Sequence, residues 1–144
     1  MHNLEKAVLR FDNGKILKGY IRNFASDAEM VTVEDAETGE ISAIDIHQLK
    51  AIFFVRYFKG DRFYREKKSY GISKLKGQRI YIKFKDKEDM VGFLEGRFPW
   101  EKGFFLSKKE DSVKGFFILP VDEDSNNIKV FVVSSSVIDV TVIP

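Results

Sequence analysis

Short runs in which apolar residues alternate with polar ones, separated by turn-forming residues, fill most of the chain. Lys6–Phe11 is the first such run, and Asp12-Asn13-Gly14-Lys15 ends it. Asn-Gly is a strong hairpin signal because both central residues of a type I′ turn need positive φ. A two-residue turn into the next run, Ile16–Phe24, is therefore expected. Met30–Glu34 and Ile41–Ile46 flank Ala36-Glu37-Thr38-Gly39, a second hairpin, and Leu49–Phe58 closes the segment. Strands joined by tight turns, with no helical period between them, predict a small antiparallel barrel rather than a βαβ unit.

The second half echoes the first. Laying Lys6–Phe24 over Arg79–Arg97 puts Phe11 on Phe84, Leu17 on Met90, Gly19 on Gly92 and Tyr20 on Phe93. Ile44–Val55 likewise lies over Val132–Ile143, apolar on apolar at most positions. The second alignment needs a larger offset than the first, so the second copy holds an insertion. Gly103-Phe104-Phe105-Leu106 and Gly115-Phe116-Phe117-Ile118, with Lys108-Lys109-Glu110-Asp111 between them, predict an extra hairpin near residues 103–118. The expected fold class is all-β, with self-similarity pointing to a tandem repeat. Two small antiparallel barrels span 1–58 and 78–144, joined over 59–77 by a short, basic, partly helical connector.

The order of strand, Asp-Asn-Gly turn, strand with a central glycine, two further strands and a short fifth strand resembles the Sm-like and SH3-like small barrels. Three stretches resemble, more narrowly, an uncharacterised family of bacterial domains of unknown function. They are Phe11–Gly14 with Leu17–Tyr20; Leu49–Val55 with Tyr64-Arg65-Glu66; and Gly115–Pro120 through Ser125-Asn126-Asn127 to Val130–Val133. The resemblance implies a bacterial tandem-barrel protein and carries no agreed biochemical activity.

Composition narrows the chemistry. Hydrophobic residues make up 44% and charged residues 32%, the profile of a folded chain rather than a disordered one. With no cysteine there is no disulfide framework, no thiolate metal site and no Cys nucleophile, which suits a reducing cytoplasm. Met1–Lys6 lacks the basic and apolar regions of a signal peptide. Ala51–Val55 is far too short for a membrane span, so no membrane association is expected.

Charge is distributed unevenly although the net value is only +2. Arg56–Lys87 holds 12 basic residues against Asp61, Glu66 and Asp86, while the segments on either side are net acidic. Tyr57, Phe58, Phe63, Tyr64 and Tyr70 are interleaved with this positive charge. Cations attract phosphate and flat rings stack on unpaired bases. Arg62, Arg65, Lys67, Lys68, Lys74 and Lys76 are therefore the candidate nucleic-acid contacts, the alternative being a solvated connector facing two acidic barrels.

Other motifs dissolve. Asp122-x-Asp124-x-Asn126 has the first calcium-loop spacings but puts Asn127 where Gly belongs and Val133 where Glu belongs, so a polar turn accounts for it. Cyclic dinucleotide receptors of the PilZ type need R-x-x-x-R followed by D/N-x-S-x-x-G; Arg62-x-x-Arg65 is one residue short and the second element is missing. His2 and His47 are the only imidazoles, and Ser134-Ser135-Ser136 has no nucleophile-elbow context. No catalytic set and no cofactor is expected.

The Phe doublets complete the picture. Successive side chains of a strand point to opposite faces, so Phe53-Phe54, Phe104-Phe105 and Phe116-Phe117 each send one ring outward. Such rings need cover, from the other barrel, the connector, a second subunit or a partner. The expected function is a non-enzymatic interaction or adaptor module; a salt-sensitive single-stranded nucleic-acid binder is the alternative.

Overall fold

The computed structural model describes residues 4–58, 78–95, 114–121 and 125–143. Ten strands account for most of them: β1 (Leu4–Phe11), β2 (Ile16–Arg22), β3 (Met30–Asp35), β4 (Ile41–Asp45), β5 (Leu49–Val55), β6 (Gln78–Phe84), β7 (Asp89–Leu94), β8 (Gly115–Leu119), β9 (Asn127–Val133) and β10 (Val137–Val142). Single 3-10 turns, Ile46–Gln48 and Ser134–Ser136, precede β5 and β10. The fold is all-β: one open antiparallel sheet in the order β10-β6-β7-β8-β9-β5-β1-β2-β3-β4.

Alternation explains the outer strands. On β3, Val31 and Val33 point inward while Met30 and Thr32 face out; on β6, Ile80, Ile82 and Phe84 point inward. The middle of the sheet breaks this rule for a physical reason. Every residue of β5 except Phe53 is buried, because the strand has a core on each face, and such strands read as continuous apolar runs. Ile52 and Phe54 belong to one cluster, with Leu9, Ile21, Val33, Phe131 and Val133. Ala51 belongs to the other, with Ile80, Ile82, Phe84, Phe116, Val130 and Val132, and Phe53 packs against it. β9 is divided the same way: Phe131 and Val133 serve the first cluster, Val130 and Val132 the second.

The halves are thus joined by a hydrogen-bonded seam, β5 against β9, in the register Ala51↔Val132, Ile52↔Phe131, Phe53↔Val130 and Phe54↔Lys129. The pairings within them correspond. Ala7↔Gly19 is matched by Ile80↔Gly92. The bulge between Arg10↔Ala51 and Phe11↔Leu49 is matched between Lys83↔Asp139 and Phe84↔Val137.

One local expectation is corrected. Asn13 is not among the residues with positive φ, whereas Gly14 has φ 91°. The Phe11 N–H bonds the Lys15 carbonyl and the Gly14 N–H bonds the Phe11 carbonyl. That is a three-residue loop, a type I turn closed by a left-handed residue, rather than type I′. Lys87 holds the corresponding place in the β6–β7 turn, at φ 75°. Gly115–Ile118, one arm of the expected extra hairpin, is a strand of the main sheet. It is the body of β8, pairing β7 on one side and β9 on the other. Residues 103–106 lie outside the described residues, as does the connector over 59–77.

Candidate functional site

Two groupings of polar side chains arise from this architecture. The first is built on Lys50, the bulge residue left unpaired between Leu49 and Ala51 on β5. A bulge re-aims its side chain, here into the seam, where Lys50 is 4% exposed. Its Nζ meets the Asp86 carboxylate at 2.7 Å, pairs closely with Glu88, and lies 4.6 Å from the Phe84 ring centroid. Arg10 holds Glu88 from the other side at 2.9 Å. Ser136 Oγ lies 2.9 Å from the Lys50 carbonyl oxygen and 2.7 Å from that of Val133.

Charge follows geometry. Burial works against ionisation of Asp86, but the hydrogen bonds from Lys50 and from the Glu88 N–H outweigh it and hold its carboxyl below the usual carboxylate range. Asp12, across the seam, is pushed up, chiefly by burial and by the negative charge of Asp86, against the pull of Lys85 and Lys50. Lys50 and Arg10 both have carboxylate partners on the β6–β7 turn, so the arrangement clamps that turn onto β5 and β1.

The second grouping lies where the chain leaves β5. Asn126 grips this segment: its Oδ1 accepts from the Tyr57 N–H at 3.0 Å and its Nδ2 donates to the Tyr57 carbonyl at 2.9 Å. Tyr57 is thereby held 63% exposed, with Lys6 Nζ 5.9 Å from its ring centroid. Phe58 packs edge-on against Tyr20, centroids 5.3 Å apart. An exposed ring beside a cation, at the start of the basic segment, is a surface on which a base can stack.

Arg62, Arg65, Lys67, Lys68, Lys74 and Lys76 lie outside the described residues, as do Phe104 and Phe105. The other doublets do split between faces. Phe54 and Phe117 meet in the first cluster, centroids 6.2 Å apart, while Phe53 and Phe116 lie with the second. Their rings are spent on the two cores of the seam. Lys50 was missed by sequence reasoning, although a lone lysine inside the apolar run Leu49–Val55 was its signal. His47 sits beside Asp45 at 3.1 Å; the Asp45 carboxylate caps the 3-10 turn through the His47 N–H, which lowers its pKa. Among the described residues, no group of three or more His, Asp or Glu could hold a metal ion. No helix among them is long and apolar enough to cross a membrane.

The match to known proteins runs the length of this architecture, from ahead of β1 to past β10: residues 3–144 fit the model described as "Family of unknown function (DUF6982)". The chain belongs to that family. No curated protein matches it. No solved structure matches it either. The DUF6982 assignment agrees with the resemblance to an uncharacterised domain family and brings no activity with it.

Proposed function

We propose that this DUF6982 protein is a non-enzymatic interaction module, acting in a reducing cytoplasm through the open edges of its sheet. Each half is read as a bent unit of the Sm-like or SH3-like barrel type, the two forming a tandem pair. The observation that carries the reading is the order of the sheet, which among the described residues ends in β4 on one side and β10 on the other. An open edge presents unpaired N–H and C=O groups to which an extended segment can add as a further strand. The test is a titration of isotope-labelled protein with extended peptides, read residue by residue from amide shifts. Shifts centred on Ile41–Asp45 or Val137–Val142 are expected; binding confined to the turns would overturn it.

The alternative, a single-stranded nucleic-acid binder, is favoured by one observation, the exposed Tyr57 ring beside Lys6. Fluorescence anisotropy with single-stranded RNA and DNA at low and moderate salt tests it. Binding that weakens with salt and with Tyr57→Ala would support this reading, and no binding at low salt would remove it.

A further inference from the structure

The seam itself says what one of the open edges fits. It pairs β5, the last strand of the first half, with β9, the fourth of the second. The strands left at the ends of the sheet are the other members of the same two kinds. β4 is the fourth strand of the first half, and β10 is the last of the second. Hydrogen bonding fixes both equivalences: β10 shares the bulged register of β5, and Val31↔Ile44 on β3–β4 corresponds to Phe116↔Val132 on β8–β9.

We propose that β10 of one chain adds antiparallel to β4 of a second copy, repeating between molecules the seam that exists within each. This rests on the edge-strand reading above and names the partner. Transposing the seam register gives Asp139↔Ile44, Val140↔Ala43, Thr141↔Ser42 and Val142↔Ile41.

Backbone polarity gives a separate check. The Ile143 N–H bonds the Arg79 carbonyl on the β6 side. Backbone groups of successive residues point to opposite sides, so Val140 and Val142 aim theirs at the open side. On β4 the Glu40 carbonyl accepts from the Asp35 N–H, so Glu40 and Ser42 face β3 while Ile41 and Ala43 face outward. The transposed register brings these two outward sets together. It also covers exposed apolar groups. Ile41, 66% exposed, meets Val142. Ile138, 40% exposed, holds the place of Lys50 and comes to Phe11, which stands where Phe84 stands beneath Lys50.

Each chain offers two different edges, so the contact is head-to-tail and repeats until a ring closes or a filament grows. It is thinner than the seam, because Val140–Ala43 and Thr141–Ser42 replace Ile52–Phe131 and Phe53–Val130. The association is therefore reversible.

The chain has no cysteine, and Ser42 and Thr141 are both exposed. In the proposed ladder they form a non-hydrogen-bonded pair, with Cα atoms about 4.5 Å apart, within disulfide range. Chains carrying Ser42→Cys and Thr141→Cys, mixed under oxidised glutathione, are expected to give a mixed disulfide-linked dimer. The double variant should give a ladder of multimers that reductant collapses. Glu40→Cys mixed with Thr141→Cys, a register step away, should lose the product, and thermal melts confirm that each variant folds like the parent. The proposal is overturned if no mixed dimer forms, or if the displaced pair links equally. If extended peptides bind an edge but no mixed dimer forms, self-pairing falls and the edge reading stands. If neither occurs, both fall.

Discussion

Lys50 permits a sharp test of how the halves are held together, because its two acidic partners sit in water and it does not. Lys50 is 4% exposed, whereas the side chains of Asp86 and Glu88 are 41% and 52% exposed. Removing the carboxylates by Asp86→Asn with Glu88→Gln strands a charged amine in the seam. Removing the amine by Lys50→Met leaves two carboxylates already half in solvent. Breaking a buried pair so that its charge is orphaned costs about 3–5 kcal/mol, while replacing it with a well-packed apolar side chain is often neutral. The Phe84 ring beneath Nζ gives the methionine thioether a favourable surface.

The double acid variant should therefore lose a large part of a total stability of about 5–15 kcal/mol. With about 2–4 °C per kcal/mol for a chain of this size, its Tm should fall by roughly 10 °C. Lys50→Met should fall much less. Both are read by circular dichroism melts and urea titration at neutral pH. The pH dependence adds a signed check. The Asp86 carboxyl lies below its ordinary value of 3.8 in the folded chain. Its stabilising contribution is thus present above that value and lost as pH falls through the folded-state value. That share of the acid sensitivity should shrink in Lys50→Met, where only the Glu88 N–H is left to hold the Asp86 carboxyl down. If Lys50→Met costs more than the double acid variant, the clamp reasoning is wrong.

Five further perturbations have expected outcomes. Lys87→Gly should raise stability by about 1 kcal/mol, because φ 75° strains any residue with a Cβ, and Gly14→Val should lower it; equal melts would refute the turn assignment. Gly19→Ala should destabilise severely, since its Cβ would press on the Glu34 carbonyl oxygen and the Val33 methyl; a parental urea midpoint would contradict the close approach. Asp12→Asn should stabilise at neutral pH, where the raised pKa makes ionisation costly, and the gain should vanish below the ordinary carboxylate range; a pH-independent gain would remove the electrostatic cause. Residues 1–58 expressed alone should be poorly soluble, because Phe131 and Val133 complete their core; a soluble fragment with a cooperative melt would show that the first half stands by itself.

The strands were legible in the sequence because their signal is local. Val31 and Val33 against Met30 and Thr32 give the period of two that a half-buried strand requires, and the correspondence of Gly19 with Gly92 survives as equivalent positions on β2 and β7. The turn was misjudged because Asn-Gly serves both a type I′ turn and a three-residue loop, and which one forms depends on how Phe11 meets Lys15 across the ladder. The place of Gly115–Ile118 likewise depends on the sheet. Gly103–Leu106 and Gly115–Ile118 look alike as strings, yet only pairing with β7 and β9 shows that the latter is a sheet strand. Lys50 left one local sign, a lone lysine in the apolar run Leu49–Val55, and nothing local shows what it meets. Its burial depends on a bulge and on carboxylates more than thirty residues away, and no local pattern encodes either.

The contrast between the seam and the open edges says why the chain contains both. At the seam, equivalent positions are filled by Ala51, Ile52 and Phe53 against Val130, Phe131 and Val132, all buried or packed on a core, with the Lys50 clamp across one end. Those side chains cannot be exposed without exposing two cores, so this pairing is permanent. At the edges the same positions carry Asp139, Val140 and Thr141 on β10 and Ser42, Ala43 and Ile44 on β4. A charged residue such as Asp139 or a short strand such as β4 lowers the tendency of sheets to pair edge to edge, and among the described residues no strand lies on the outer side of either. In the proposed head-to-tail pairing one ladder geometry would serve twice, permanent within the chain and reversible between chains. Weak, specific pairing at an edge is the property that the proposed interaction module requires, and the cysteine pairs at Ser42 and Thr141 are what test for it.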